Sequence, residues 1–541
     1  MKGRKEISGK IVDIKRERIY EGTIVIGEGR IVEIREEKTG RGEFILPGFV
    51  DAHVHIESSM LTPVEFGRMA LRKGTVGVVA DPHEIANVLG TGGIRYMIRE
   101  SERTPLKVRY GIPSCVPATE FETSGARIEA EEIEQLFKEY PEVHLAEMMN
   151  YPGVIHRDPK VMRKIEVARK YDRIVDGHAP GVRGEMLMRY IEAGIRTDHE
   201  CMTLEEAEEK IALGMHILIR EGSAAKNFSA LHPLIDRYPD KVMFCTDDIH
   251  PDDLMVGHID TMVRRALEEG HNLWKVLKAA GKNAKEFYRL PIGMLQVGDP
   301  ADLLIVDNLK SLEIKGVFVN GERIEDVGEE DGRNDQPNRF KRKRIEEKDL
   351  VVRAEGEKIH VITAEDGSLY TKTVKESAKI VNGEVVCDTE RDLLKIVVVN
   401  RYEEGTTPAV GFIKGFGMQI GAIATSIAHD SHNVIGIGAN KKDLKEALEA
   451  VIEKRGGMAF VTGGKKKVLP LPVAGLMSEG RGERVAEDYR ELNRLVQEAG
   501  SGMKAPFMTL SFMALLVIPE LKIGDKGLFD VKEFKFKNLF A

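Results

Sequence analysis

The sequence predicts an α/β protein whose central part folds as a (β/α)8 TIM-like barrel. Short apolar runs alternate with amphipathic stretches between residues 48 and 292, and eight such runs can be counted. This alternation over roughly 245 residues has the size and rhythm of an eight-stranded barrel, with a doubly wound open sheet as the alternative. The eight candidate strands are FILPGFVDAHVH, GTVGVVAD, KVRYGIPSC, EVHLAEM, RIVDGH, GIRTDH, GMHILIR and KVMFCTD.

The segments on both flanks of the predicted barrel have the residue pattern of short β-strands. The first 47 residues contain IVDI, GTIVIGEGRIVEI and EFILPGF, in which apolar and polar residues alternate and glycines mark the reversals. The same pattern returns at 298–324. We therefore expect residues 1–47 and 293–324 to form one small composite β-sheet domain, with the barrel at 48–292.

The C-terminal third predicts an additional α+β domain at 349–541. Its candidate strands include KIHVITA and LLKIVVVN, and its candidate helices include KKDLKEALEAVIEKRG and RVAEDYRELNRLVQEAG. Residues 325–348 are polar and contain few large apolar side chains, which predicts a solvated linker between the barrel and this domain.

Composition and charge exclude several classes of protein. There are 80 basic and 88 acidic residues, a net charge of -8, so a dedicated nucleic-acid binder is not expected. The sequence has no apolar run of about 20 residues to span a membrane. The four cysteines lie far apart without a CxxC pair, and the N-terminus has no signal-like run. These features predict a cytoplasmic protein without disulfide bonds.

The segment LPGFVDAHVH at the first candidate strand carries the strongest chemical signal. Side chains alternate along a strand, so His53 and His55 project to the same side and can bind one metal ion. The alternative is that both are ordinary core or surface histidines. In a barrel, the C-terminal ends of the strands form the catalytic face.

Further metal-binding side chains occur where later strands end. Imidazole and carboxylate donors without thiolate suit Mn, Fe(II) or Zn. Six donors exceed what one ion needs, which predicts two divalent ions per subunit bridged by a carboxylate and a hydroxide. The candidate metal ligands are His53, His55, Glu147, His178, His199 and Asp247.

The motifs together identify a resemblance to a known family. PGFVDAHVH followed by metal-capable strand ends resembles the amidohydrolase superfamily. Within it, HIESSMLTP, DPHEIANV, AEMMNYPGV, REGSAA, CTDD, HDSHN and LPLPVAGLMS resemble the adenine deaminases over nearly the whole chain. In most binuclear amidohydrolases the fourth strand supplies a carbamylated lysine, whereas here Glu147 stands at that position, as in the adenine deaminase pattern.

The resemblance implies hydrolytic deamination of adenine to hypoxanthine and ammonia by a hydroxide bound at a two-metal centre. It implies one ion held by His53, His55 and Asp247, a second held by His178 and His199, and Glu147 as the bridge. Asp247 is expected to move the proton of the attacking water, and Glu147 to assist transfer to the ring. Mn or Fe(II) is favoured over Zn.

Other residues are candidates for substrate binding. Asp248 could accept a hydrogen bond from a purine N–H or could cap a helix. The remaining candidates follow the second and seventh strands: His83, Glu84 and Glu221. His429 and His432 of the C-terminal domain could line the site or serve a structural role.

Two other functions stay open at this point. A cyclic-amide hydrolase of the dihydroorotase or hydantoinase kind would share the fold and the HxH pair. A scaffold with a dead amidohydrolase fold would have no physical need of six ligand candidates. The expected partners are adenine, water and further copies of the chain in a homo-oligomer, with a dimer favoured, and not nucleic acid or a membrane.

Overall fold

The computed structural model describes residues 4–325 and 335–541. These residues divide into two units. Unit 1 contains residues 4–82, 95–115 and 129–325, and unit 2 contains residues 83–94, 116–128 and 335–541.

A (β/α)8 barrel forms the larger part of unit 1, as the sequence predicts. Within residues 4–325, eight parallel strands belong to it, five in one sheet and three in another. Their order in the sheets follows their order in the chain, which fits a barrel and not a doubly wound sheet. The strands are Phe49–Val54, Thr75–Ala80, Lys107–Ile112, His144–Met148, Val175–Gly177, Thr197–Asp198, His216–Arg220 and Val242–Cys245.

The two sheets join at both of their edges. After the eighth strand, Asp247 pairs with the first strand: its N–H donates to the His53 carbonyl (2.8 Å), and its carbonyl accepts from the His55 N–H (2.9 Å). At the other edge, the N–H of Gly177 donates to Thr197 Oγ1 at 3.0 Å. A Cβ at position 177 would lie 2.1 Å from the Thr197 carbonyl oxygen, so this approach requires glycine.

Helices connect the strands of the barrel, and several begin at a capping residue. Asp158 accepts hydrogen bonds from the N–H groups of Lys160 and Val161, and Pro159 occupies the first turn. The helix Thr91–Ser101 crosses the division between the units. The helices within unit 1 are Pro63–Arg72, Ala130–Glu139, Tyr151–Ile155, Pro159–Lys170, Gly184–Glu192, Leu204–Ala212, Phe228–Leu231, Leu234–Arg237, Pro251–Val256, Ile259–Glu268, Leu273–Leu277 and Asn283–Tyr288, with a 3-10 turn at Ile56–Ser59 and a π-helical turn at Lys278–Lys282.

A composite β-sheet built from both flanks is also present, as the sequence predicts. Phe44–Pro47 lies at its centre, parallel to Lys5–Asp13 and antiparallel to Leu303–Val306, so the two flanks meet there. The first candidate barrel strand therefore splits at Gly48, and its FILP part belongs to this sheet. In the described part of unit 1 the order of strands is Glu322–Arg323, Ile314–Val319, Leu303–Val306, Phe44–Pro47, Lys5–Asp13, Arg18–Gly27 and Arg30–Glu36.

Unit 2 is an α+β structure built on a mainly antiparallel sheet. The helix Lys441–Glu453 packs its apolar face, including Leu444, Leu448 and Val451, on this sheet. Its described strands lie in the order Lys372–Ser377, Lys358–Thr363, Ala409–Lys414, Leu394–Val399, Val434–Gly438, Ala422–Thr425, Gly457–Thr462 and Lys465–Pro470.

Smaller elements complete the description of unit 2. Lys379–Val381 pairs with Glu384–Val386, and the sheet near the C-terminus contains Leu521–Gly524, Gly527–Asp530 and Lys535–Phe536. The other helices and 3-10 turns are His83–Leu89, Gly482–Glu498, Pro506–Phe512, Glu347–Leu350 and Thr389–Arg391.

The units differ from the predicted domain boundaries in two places. Residues 83–94 and 116–128 follow barrel strands in the chain but belong to unit 2, where Asn433 Nδ2 donates to the Thr123 carbonyl (2.9 Å). The predicted linker 325–348 lies partly outside the described residues. Its described part is packed and not solvated, because Phe340 and Ile345 are buried in the core of unit 2.

None of the helices in the described ranges is long and apolar enough to cross a membrane.

Candidate functional site

The six predicted metal ligands gather at the C-terminal end of the barrel in unit 1. His53 and Glu147 lie within the first and fourth strands, and Asp247 follows the eighth strand. His55, His178 and His199 each come directly after a strand. All are buried except His178, whose side chain is 21% exposed. The structure thus brings together every residue of the predicted ligand set.

Glu147 lies between two groups of imidazoles. Its Oε1 faces the pair from the first strand, 3.3 Å from His55 Nε2 and 3.8 Å from His53 Nε2. Its Oε2 faces the other pair, 2.7 Å from His178 Nδ1 and 3.4 Å from His199 Nε2. Each oxygen of the Glu147 carboxylate therefore faces a different pair of histidines.

Asp247 completes the group around the first pair. Its Oδ1 lies 2.9 Å from His55 Nε2 and 3.4 Å from His53 Nε2. The residue has φ +59°, a left-handed conformation that is uncommon outside glycine and is often found at functional positions. The two backbone hydrogen bonds to the first strand hold it in this conformation.

The ring nitrogens of the first pair are arranged as metal ligands would be. His55 Nδ1 lies 3.0 Å from the Asp81 carbonyl, which can only accept, so Nδ1 carries a proton, and an ion bound at Nε2 would take the place of the proton that this nitrogen donates to the two carboxylates. His53 Nε2 is buried and makes no hydrogen bond of normal geometry among the described residues, since Asp247 Oδ1 lies 3.4 Å away. A divalent ion would satisfy this nitrogen, and the mixed imidazole and carboxylate donors suit such an ion.

The second pair is positioned by buried groups behind it. The Lys210 ammonium donates to Asp198 (3.0 Å), Glu206 (2.7 Å) and the Ala179 carbonyl (2.7 Å). Asp198 precedes His199 in the chain, and Ala179 follows His178. The Tyr190 hydroxyl accepts from the His178 N–H (3.0 Å) and donates to the Met148 carbonyl (3.1 Å). This network fixes both loops relative to the fourth strand.

The cluster keeps its carboxylates charged although it is buried. Burial alone would raise the pKa of Glu147, but the charge of His178 and hydrogen bonds from three histidines hold that pKa well below its usual range. Burial lowers the pKa of His199, but the hydrogen bond to Glu147 and the charge of Asp247 raise it to about 9. Such a field favours cations, because an ion can take the place of the protons on the imidazoles.

Two charged residues beside the cluster were not among the sequence candidates. Arg220, the last residue of the seventh strand, is only 3% exposed, and its Nη1 lies 2.5 Å from Asp247 Oδ2. The same guanidinium contacts Glu200, whose Oε1 is 3.4 Å from His199 Nε2. The sequence held a signal for each: Arg220 ends an apolar strand, at the start of REGSAA, and Glu200 follows the candidate ligand His199.

The predicted substrate-binding residues of unit 1 have different surroundings. Asp248 is partly buried, and its Oδ1 accepts from Ser58 Oγ at 2.5 Å. The next helix begins at Pro251 with His250 at its N-cap, so Asp248 does not cap it. Glu221 pairs with Arg265 of the helix Ile259–Glu268 (3.1 Å) and accepts from the Phe228 N–H (3.3 Å), so both of its oxygens are occupied.

The other two predicted substrate-binding residues, His83 and Glu84, belong to unit 2. There Glu84 Oε1 lies 2.7 Å from His429 Nδ1, and Glu84 Oε2 contacts His432 Nε2. His432 is fully buried, and its Nδ1 accepts from the Ala428 N–H, so its proton is on Nε2 and is donated to Glu84. Both late histidines therefore orient the Glu84 carboxylate.

Known proteins match this chain along its whole length. The sequence profile of the amidohydrolase family matches residues 44–324, and that of the adenine deaminase C-terminal domain matches residues 368–535. An adenine deaminase of Methanosarcina mazei is 50% identical over 553 aligned residues, which cover 99% of this chain and 100% of that protein. The chain belongs to the adenine deaminase family of amidohydrolases.

Another member of the adenine deaminase family, from Salinibacter ruber, is 48% identical over 539 residues, covering 99% of each chain. Among solved structures, that of a β-aspartyl dipeptidase from Fervidobacterium islandicum has a TM-score of 0.46 and 20% identity, covering 62% of this chain and 100% of the other. The two family profiles and the full-length relatives confirm the resemblance seen in the motifs. Amidohydrolase membership implies a divalent metal centre, for which the six-residue cluster is the candidate.

We expect the substitution Lys210→Met to destabilise unit 1, because it leaves the buried Asp198 carboxylate without its cation. Loss of one partner of a buried ion pair typically lowers the free energy of unfolding by about 3–5 kcal/mol. Urea unfolding measures this change. The control is Lys170→Met, whose lysine is 63% exposed and pairs with Glu134 at the surface, where a pair contributes about 0–1 kcal/mol. Equal effects of the two substitutions would contradict the role of Lys210.

Proposed function

We propose that this chain catalyses the hydrolytic deamination of adenine to hypoxanthine and ammonia in a metal-dependent reaction. The observation that carries the proposal is the position of Glu147, with one oxygen facing each pair of imidazoles at the C-terminal end of the barrel. Full-length relatives that bear the name adenine deaminase support adenine as the substrate.

Two divalent ions per subunit fit the donors. His53, His55 and Asp247 would hold one ion, His178 and His199 the other, and Glu147 would bridge them. The separation of its two oxygens between the pairs supports the bridge, since a carboxylate ligates two ions best through different oxygens. The absence of thiolate from the cluster supports Mn or Fe(II), with Zn as the alternative.

The bound ions would supply one thing: they lower the pKa of a water molecule enough for attack at neutral pH. The residues of the chain would do the rest. As water attacks the amino-substituted carbon of adenine, Asp247 Oδ1 accepts its proton and returns it to the departing amine, so that ammonia leaves. Glu147 assists the transfer of the second proton of the water to the ring nitrogen. The products balance as hypoxanthine and ammonia from adenine and water.

Contacts to the adenine ring are also proposed. Asp248 is the strongest candidate in unit 1, because Ser58 fixes one oxygen and leaves the other to accept from a ring N–H. Glu221 is the weaker candidate, since Arg265 and the Phe228 N–H occupy it. His83 and Glu84 stay predictions for substrate binding.

The alternatives have less support. A dihydroorotase or hydantoinase would be a cyclic-amide hydrolase, but the full-length relatives are named adenine deaminase. A dead scaffold would gain nothing from burying six donors, because each buried charge without an ion destabilises the fold.

A reducing cytoplasm is proposed from the four free cysteines, three of them buried. The homodimer stays a prediction.

We expect two equivalents of divalent metal per chain after reconstitution with Mn²⁺ and dialysis, measured by elemental analysis. Glu147→Gln keeps the size of the side chain but removes the charge between the two ions, so at least one ion should be lost. Glu142→Gln, at an exposed position near the same strand, should keep both. Full activity with a single equivalent would contradict the bridge.

We expect Asp247→Asn to lower kcat by about 10²–10⁴-fold, the usual contribution of positioned proton transfer. The amide keeps the shape and one ligand oxygen, so part of the metal should remain. Steady-state kinetics on adenine measure the effect, with Asp240→Asn as the control because that aspartate is 69% exposed. A kcat within a few-fold of the parent would exclude Asp247 as the proton carrier.

Free adenine should be preferred over adenosine and over dihydroorotate. The comparison of kcat/KM for the three compounds, followed by ammonia release or ring absorbance, tests this expectation. Faster turnover of adenosine or of the cyclic amide would overturn the proposed function itself.

A further inference from the structure

Arg220 forms a bridge between two carboxylates that border the candidate metal site. Its Nη1 contacts Glu200 Oε1 and Asp247 Oδ2, and its Nη2 lies 3.3 Å from Glu200 Oε2. The guanidinium is buried, and its charge is matched by both acids, which raise its pKa above the usual value after the opposing effect of burial. The planar fork of arginine suits such a double contact, whereas a lysine ammonium does not.

Glu200 is close enough to the second imidazole pair to compete for a metal ion. Its Oε1 lies 3.4 Å from His199 Nε2 and 3.8 Å from His178 Nδ1. The first of these distances matches that of Glu147, whose Oε2 also lies 3.4 Å from His199 Nε2. The contact that distinguishes Glu200 from Glu147 is the guanidinium on both of its oxygens.

Arg220 also contacts one of the two oxygens of the Asp247 carboxylate. Oδ1 faces the first imidazole pair, and Oδ2 faces Arg220. With Oδ2 occupied, Asp247 can offer only one oxygen to an ion. Catalytic metal sites differ from structural ones in keeping a coordination position open. Without Arg220, an oxygen of Glu200 and Oδ2 of Asp247 would be able to occupy such open positions.

We propose that Arg220 is a positioning residue that withholds Glu200 and one oxygen of Asp247 from the metal ions and so keeps a coordination position open for the attacking water. The inference rests on the proposed function, since it assumes a metal-dependent hydrolysis. Without Arg220, two buried carboxylates lose their cation, and the ions are the nearest positive charges. Arg220 thus favours turnover and not tight metal binding.

The test compares Arg220→Gln with the parent and with the double variant Arg220→Gln/Glu200→Gln. We expect Arg220→Gln to retain two equivalents of Mn²⁺ against a chelator at least as well as the parent, while kcat falls by about 10–100-fold, the range for residues that orient ligands. In Co²⁺-loaded protein its visible absorption should weaken, as higher coordination numbers give weaker bands. The double variant should recover part of the lost kcat, because a neutral amide is a poorer ligand than the Glu200 carboxylate.

Two controls separate this role from a structural one. Arg220→Lys keeps the charge but cannot contact both acids, so it should fold, keep two ions and show an intermediate kcat. Arg237→Gln removes an arginine that is 53% exposed and should leave all readings unchanged. Metal loss in Arg220→Gln without rescue by the second change would overturn the proposal, as would an unchanged kcat. If the parent does not deaminate adenine, but Arg220→Gln still differs from it in metal retention and Co²⁺ absorption as expected, the proposed function is refuted instead.

Discussion

The Glu147 carboxylate and the four imidazoles around it are the interaction on which the rest of the site depends. The carboxylate is buried at the end of the fourth strand, and its two oxygens face histidines from opposite parts of the barrel. A charge in this position requires matched partners on both sides, because an isolated buried carboxylate is strongly unfavourable. The barrel supplies these partners only when the first, fourth, fifth and sixth strands all end at the same level.

The surrounding charges can be understood from this requirement. Lys210 stabilises the loops that carry His178 and His199, and Arg220 balances Glu200 and Asp247. The backbone pairing of Asp247 with the first strand both closes the barrel and sets the acid beside His55. The closure of the fold and the geometry of the site thus rest on the same residue.

The sequence predicted the barrel, the composite sheet and the six gathered donors because each follows from a local pattern: period-two alternation, strand–helix repetition and a polar residue at a strand end. Lys210 was missed, since a buried cation and a surface cation look the same in a sequence, and Arg220 was missed although it ends an apolar strand. The assignment of residues 83–94 to unit 2 depends on contacts such as that between Glu84 and His432, 348 positions apart, which no local pattern contains. The roles of the site residues stay predictions.

The central claim is that one carboxylate joins two ions in a single centre, and electron paramagnetic resonance of the Mn²⁺-loaded protein tests it most directly. At two equivalents per chain, two ions that share the Glu147 bridge should be exchange-coupled, with hyperfine lines at about half the spacing of an isolated ion. Glu147→Gln should lose this coupled signal. A spectrum of isolated Mn²⁺ alone at two equivalents, in active protein, would contradict the account.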